Sequence, residues 1–233
     1  MSLKTLVDVL AGMEIAPRYR RWSSLSYCVI DAVWSISAQY DAVVAPLVRR
    51  VAAANADQHP VIDATALLPP DPLPLTLLLA RYPDAAALRA VTNGQRTSTR
   101  GGIEKAEAVL RYAHILTGHG ITDLAGVADL MADPQRWSDT NRALAGVPGE
   151  GAHGVRRSYL WMLCGCDDVS KPDRMILRWL ARHGIHATPD QARAIVEDAA
   201  AELTVRLGRP VTAWMVDHAI WTAQRPQRGR AAA

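Results

Sequence analysis

Leu144-Ala145-Gly146-Val147-Pro148-Gly149-Glu150-Gly151 leads into a helical stretch to Gly165, and Lys171-Pro172-Asp173-Arg174-Met175-Ile176-Leu177-Arg178 follows. The first segment puts a Gly-x-Gly hairpin between two helices, where backbone N–H groups can come close to a phosphate. The second sets an aspartate at a helix start, with its carboxylate bonded to the helix amides. One half suits gripping a nucleic-acid backbone, and the other suits chemistry beside it.

The rest of the chain reads outward from this stretch as nearly all helical. Its 233 residues are 49% apolar, enough for one domain or two closely packed lobes with a sizeable core. There is no Phe, alternating β-branched runs are scarce, and alanine-rich segments with helical spacing dominate. The net charge of +3 is mildly basic and compatible with a nucleic-acid partner. Its basic residues cluster at Arg18, Arg20 and Arg21, at Arg49 and Arg50, at Arg96, Arg100 and Lys105, at Arg156 and Arg157, and at Arg225, Arg228 and Arg230. Solvated faces are the plain reading of each cluster.

Three cysteines, Cys28, Cys164 and Cys166, form no disulfide framework and cannot supply four thiolates to an iron–sulfur cluster. A reduced, cytoplasmic chain is expected. The N-terminus is too polar for a signal peptide, and no apolar run reaches membrane-spanning length.

Helices are expected over 3–12, from Ser23 or Ser24 through Ile36, over 43–54, 75–81, 84–90, 103–117, 123–132 and 134–144, and from the hairpin to Gly165. Others follow from Asp173 to His183, from Thr188-Pro189-Asp190 to Leu207, and over 211–224. The segment 55–74, with five prolines, reads as a loop with at most short helical turns, and 92–102 as a polar, glycine-rich loop. The tail from Arg225 reads as basic and frayed.

Three segments, in order, resemble the helix-hairpin-helix DNA glycosylase superfamily that includes endonuclease III and the alkyl-base glycosylases. Ser37-Ala38-Gln39 resembles the turn whose glutamine fills the gap left by a flipped base. Glu104-Lys105-Ala106-Glu107-Ala108-Val109-Leu110 resembles the lysine-bearing helix ahead of the hairpin. Val147-Pro148-Gly149-Glu150-Gly151 resembles the hairpin itself, and Asp173 with Arg178 the catalytic aspartate and a following arginine. The resemblance covers residues 25–180 and the closing helices. It implies an all-α, two-lobed bundle of the helix-hairpin-helix glycosylase type, a single domain over 1–233. One lobe would be 25–165, with the hairpin at 144–158, and the other 1–24 plus 166–233.

Such a fold implies hydrolysis of an N-glycosidic bond, in which an ionised carboxylate offsets positive charge building on the sugar or orients the attacking water. The base must leave the stack, so a wedge fills the hole and a pocket holds the base. The resemblance makes Asp173 the carboxylate and Gln39 the wedge. Gly149 and Gly151, with His153, Arg156 and Lys105, become the backbone contacts. Tyr27, Asp31, Trp34 and Tyr159 are the candidate base pocket; Trp161 and Trp221 are further aromatic candidates, though helical aromatics such as these are more often simply core. Asp31 is the oddest polar residue in the chain, as fit for a buried structural carboxylate as for reading a base edge.

Relatives that also cut the strand carry a Schiff-base lysine just after the hairpin, near His153 or Val155 here, yet no lysine lies between Gly151 and Lys171. The implied enzyme therefore leaves an abasic site without lyase cleavage. Adenine-removing relatives carry a glutamate where Trp34 stands, which argues against that substrate. An alkylated purine, a deaminated base or a hypermodified cytosine of phage DNA remain, the last pointing to antiviral defence rather than repair. No cofactor is expected beyond a monovalent cation at the hairpin. The partner would be double-stranded DNA, and the chain a monomer without membrane contact. Two alternatives stand: a non-catalytic DNA-binding module on the same scaffold, and an unrelated all-α interaction protein.

Overall fold

The computed structural model describes residues 3–225. In chain order the helices are α1 (Leu3–Ala11), α2 (Leu25–Trp34), α3 (Ala45–Ala54), α4 (Leu75–Arg81), α5 (Ala85–Val91), α6 (Lys105–Gly118), α7 (Leu124–Met131), α8 (Pro134–Ala145), α9 (Val155–Leu163), α10 (Arg174–Arg182), α11 (Pro189–Leu207) and α12 (Ala213–Ala223). A π-helical turn, Tyr40–Val44, runs into α3, and two short strands, β1 (Arg20–Trp22) and β2 (Val61–Asp63), pair with each other. Arg228 and Arg230 lie outside the described residues.

Side chains set most helix starts. Ser24, Asp84, Asp123, Asp133, Asp173 and Thr212 each accept a backbone N–H of the first turn, and Thr188 with Gln191 forms a full capping box. The chain divides into two compact units: residues 19–165, and the two chain ends together, 3–18 with 166–225.

In the first unit α2 is the hub, and all ten of its residues are buried. Helices α6, α9, α3 and α4 pack around it. A helix apolar on every side must be enclosed on every side. The segment 55–74 is more ordered than its prolines imply. Val61 and Ile62, followed by the turn that Asp63 makes with Thr65, pair antiparallel with β1 in the register Arg20↔Asp63, Arg21↔Ile62 and Trp22↔Val61. Further on, Leu73 O accepts from Ser24 Oγ (2.8 Å), and Asp71 Oδ2 accepts from Leu25 N (3.0 Å), so the segment is tied to the start of α2. In the second unit Leu6 and Leu10 of α1 join Ile176, Trp179 and Leu180 of α10, Val196 and Leu203 of α11, and Val216 and Ile220 of α12 in one core.

Candidate functional site

The hairpin between α8 and α9 is held from beneath by buried charge. Glu150 points inward. Tyr112 donates its hydroxyl to Oε2, and Arg157 donates its backbone N–H to Oε1 (3.2 Å). Arg157 Nε lies 3.2 Å from Oε1, and Arg156 Nη1 lies 3.5 Å from Oε2. Burial raises the Glu150 carboxyl pKa, opposed by Tyr112 and the two arginines. A second brace is Thr97, whose Oγ1 donates to Pro148 O (3.2 Å). Gly149 sits at φ +83, and a Cβ there would come within 2.2 Å of Thr97 Oγ1, so only glycine fits. Gly151, at φ +80, has open space around it; both glycines are exposed, as is His153.

Two expected backbone contacts are corrected here. Arg156 is fully buried and donates Nη2 to Gly149 O (2.8 Å), so it ties the hairpin to α9 from inside instead of reaching a phosphate. Pro148 O and Gly149 O thus each accept a hydrogen bond from a protein donor. Lys105 is also buried. Its ammonium donates to Trp34 O (2.9 Å), Ile36 O (2.8 Å) and Gln95 Oε1 (3.3 Å). It closes the C-terminus of α2, where carbonyls have no helical partner. Burial and the neighbouring Arg156 lower its pKa to about 8.

The turn that Lys105 closes carries Gln39. Ser37 adopts φ +58, an uncommon conformation outside glycine, and reverses the chain. Gln39 follows, exposed and extended, and its carbonyl accepts the first N–H of the π-helical turn from Val43 (2.9 Å).

Of the four expected pocket residues, the structure joins Asp31 with Tyr159 and sends the other two elsewhere. Asp31, fully buried, accepts from Trp22 Nε1 (2.7 Å), Ser35 Oγ (2.7 Å) and Tyr40 Oη (3.1 Å). Burial and Asp31 together raise the phenol pKa values of Tyr40 and Tyr159. The three donors to Asp31 are neutral groups, an indole N–H and two hydroxyls, and each satisfies part of the carboxylate's hydrogen-bonding capacity. Tyr27 instead donates to Asp57 (3.0 Å), and Trp34 donates its indole N–H to Asn93 Oδ1 (2.9 Å), both fully buried. A cavity of about 500 Å³ in this unit lies elsewhere, against Arg49, Asp57, Gln58 and His59.

In the second unit Asp173 caps α10. Its Oδ1 accepts from Met175 N (2.7 Å) and Ile176 N (3.3 Å), while Lys171 Nζ lies 3.6 Å from Oδ2. Beneath it lies Asp217 of α12, whose Oδ2 accepts the backbone N–H of Lys171 at 2.7 Å. Burial, reinforced by the nearby Asp173 charge, pushes Asp217 up to about 7, against the opposing pull of the Lys171 N–H and ammonium. Asp217, Glu150 and Thr97 have no role in the sequence reading. Asp217 carries the same signal that singles out Asp31, a lone acid in an apolar helix, Met215-Val216-Asp217-His218-Ala219-Ile220.

A family model described as a domain of unknown function (DUF8548) matches residues 3–225. The chain belongs to that family. No curated protein matches the chain, and no solved structure does. The match spans residues of both units. Among the described residues, no group of three or more metal-ligating side chains is present. No helix among them is long and apolar enough to cross a membrane.

Proposed function

We propose that the chain is a monofunctional DNA glycosylase, which flips a damaged or modified base from double-stranded DNA and hydrolyses its N-glycosidic bond. The observation that carries this reading is Asp173. Its carboxylate is only partly buried, is fixed by two amide N–H bonds on one oxygen, and keeps the other oxygen beside a lysine. A carboxylate preset in this way can offset the positive charge that grows on the sugar as the base departs, with little reorganisation. The exposed, left-handed glycines of the braced hairpin supply backbone amides for a phosphate, and exposed Gln39 supplies a wedge. With Lys105 and Arg156 buried, the phosphate grip falls to Gly149, Gly151 and His153. A hypermodified base of phage DNA is the substrate class that gives the activity a role in antiviral defence.

The test is a panel of duplexes, each with one alkylated, deaminated or hypermodified base. Strand breaks appearing only after hot alkali mark base release without lyase cleavage; breaks before alkali would contradict the monofunctional reading. The second reading, a DNA-binding module without catalysis, draws on the capping bonds of Asp173, which a purely structural helix start would make too. It predicts duplex binding with no abasic product from any member of the panel.

A further inference from the structure

The outer side of α10 and the start of α11 form a groove of about 530 Å³. Its floor is apolar, from Leu177, Ala181 and Ala187. Its rim is cationic or polar, with Arg174, Arg178 and His186 all exposed. The opposite face of α10 is buried in the core through Ile176, Trp179 and Leu180, so the helix cannot turn these arginines inward. α10 carries three arginines and no acid between Arg174 and Arg182; the acids flanking the groove are Asp173, which caps α10, and Asp190, 3.3 Å from Arg193.

We propose that this groove, with Arg174 and Arg178 on its rim, is a track for the sugar-phosphate backbone of a DNA strand. Charge complementarity favours a polyanion, and the apolar strip between the charges suits the deoxyribose rings that separate phosphates. Four residues of helix rise about 6 Å. Successive nucleotides of one B-DNA strand rise about 3.4 Å along the axis, and the winding of the strand carries their phosphates further apart than that, to a similar span. Arg174 and Arg178 are therefore spaced to meet neighbouring parts of one strand. They follow Asp173 directly on the same helix, so a strand seated on them is held at a set distance from that carboxylate. Arg182, the third arginine of α10, does not line the groove and is tied to Gln224 Oε1.

This inference rests on the DNA-directed reading above and assigns the strand path within it. The test measures binding of a short, unmodified duplex from about 50 to 200 mM salt. Each lost phosphate contact lowers the log–log slope by about 0.9, so R174Q/R178Q should lower it by about 1.8. R182Q/R206Q removes the same charge from exposed sites outside the groove and should leave the slope nearly unchanged. Equal losses in the two double variants would overturn the groove and leave only net charge. Binding to phosphatidylserine-rich vesicles but not to DNA would also overturn it. An arginine-dependent slope with no base released from any modified duplex would sink the glycosylase reading and leave the groove standing. Base release by an R174Q/R178Q variant whose slope matches the wild type would do the reverse.

Discussion

The hairpin between α8 and α9 and the segment leading into α10 each rest on a buried carboxylate, but in opposite surroundings. Glu150 sits among two arginines and a tyrosine hydroxyl, so its charge is matched within the fold. Asp217 has one backbone N–H, and its charged neighbours are an acid, Asp173, and Lys171. The first arrangement locks a loop. The second leaves a carboxyl that burial pushes up to about 7 under the loop. The difference separates a loop braced by matched charge from one that rests on a carboxyl with little to match it.

The strongest way to break this comparison is E150L. It leaves Arg156 and Arg157 without their counter-charge, and one-sided loss of a buried pair costs roughly 3–5 kcal/mol. Urea unfolding followed by hydrogen exchange in α8 and α9 should show that loss. An unchanged midpoint would mean the hairpin does not depend on buried charge.

D217N should act in the other direction. The folded protein holds the Asp217 proton more tightly than the unfolded chain does. Its stabilising contribution is therefore full below the ordinary 3.8 and is lost as pH rises through about 7. An asparagine still accepts the Lys171 N–H but never ionises. At pH 8 the variant should be more stable by on the order of 4 kcal/mol, and its stability should vary less between pH 4 and 7 than the wild type's. A pH profile parallel to the wild type's would show that Asp217 is not the responsive group.

K105M should come next, at roughly 2–3 kcal/mol, because the carbonyls of Trp34 and Ile36 lose a charged donor. The loss should appear as faster exchange at the turn before Gln39. The smallest effect sharpens the view of the hairpin itself. G149A must push aside Thr97, while G151A meets nothing and bears only the left-handed strain of about 1–2 kcal/mol. Thermal unfolding should therefore rank G149A below G151A, and equal losses would remove Thr97 as a brace.

Helix starts were open to reading from sequence because caps act locally. Ser24, Asp84, Asp173 and Thr188 each bond to amides within three residues. The strand at Val61–Asp63 was not, since three residues are too few to show a period and the surrounding prolines signal a loop. The fates of Lys105 and Arg156 were hidden for a different reason. Each looks like a surface cation on a helix, but its burial is set by acceptors far off in the chain or across a turn, Trp34 and Ile36 for one and Gly149 for the other. Asp31 was legible as an oddity, but its partners Trp22, Ser35 and Tyr40 come together only through the fold.

The central claim, that Asp173 is placed for its charge, is tested most directly by comparing wild type and D173N on a duplex whose base the wild type releases. Asparagine caps a helix about as well as aspartate, so the variant should fold and bind the duplex like the wild type. The account predicts that free-base release falls by at least about a hundredfold with binding unchanged. Release at the wild-type rate by a folded D173N would contradict it.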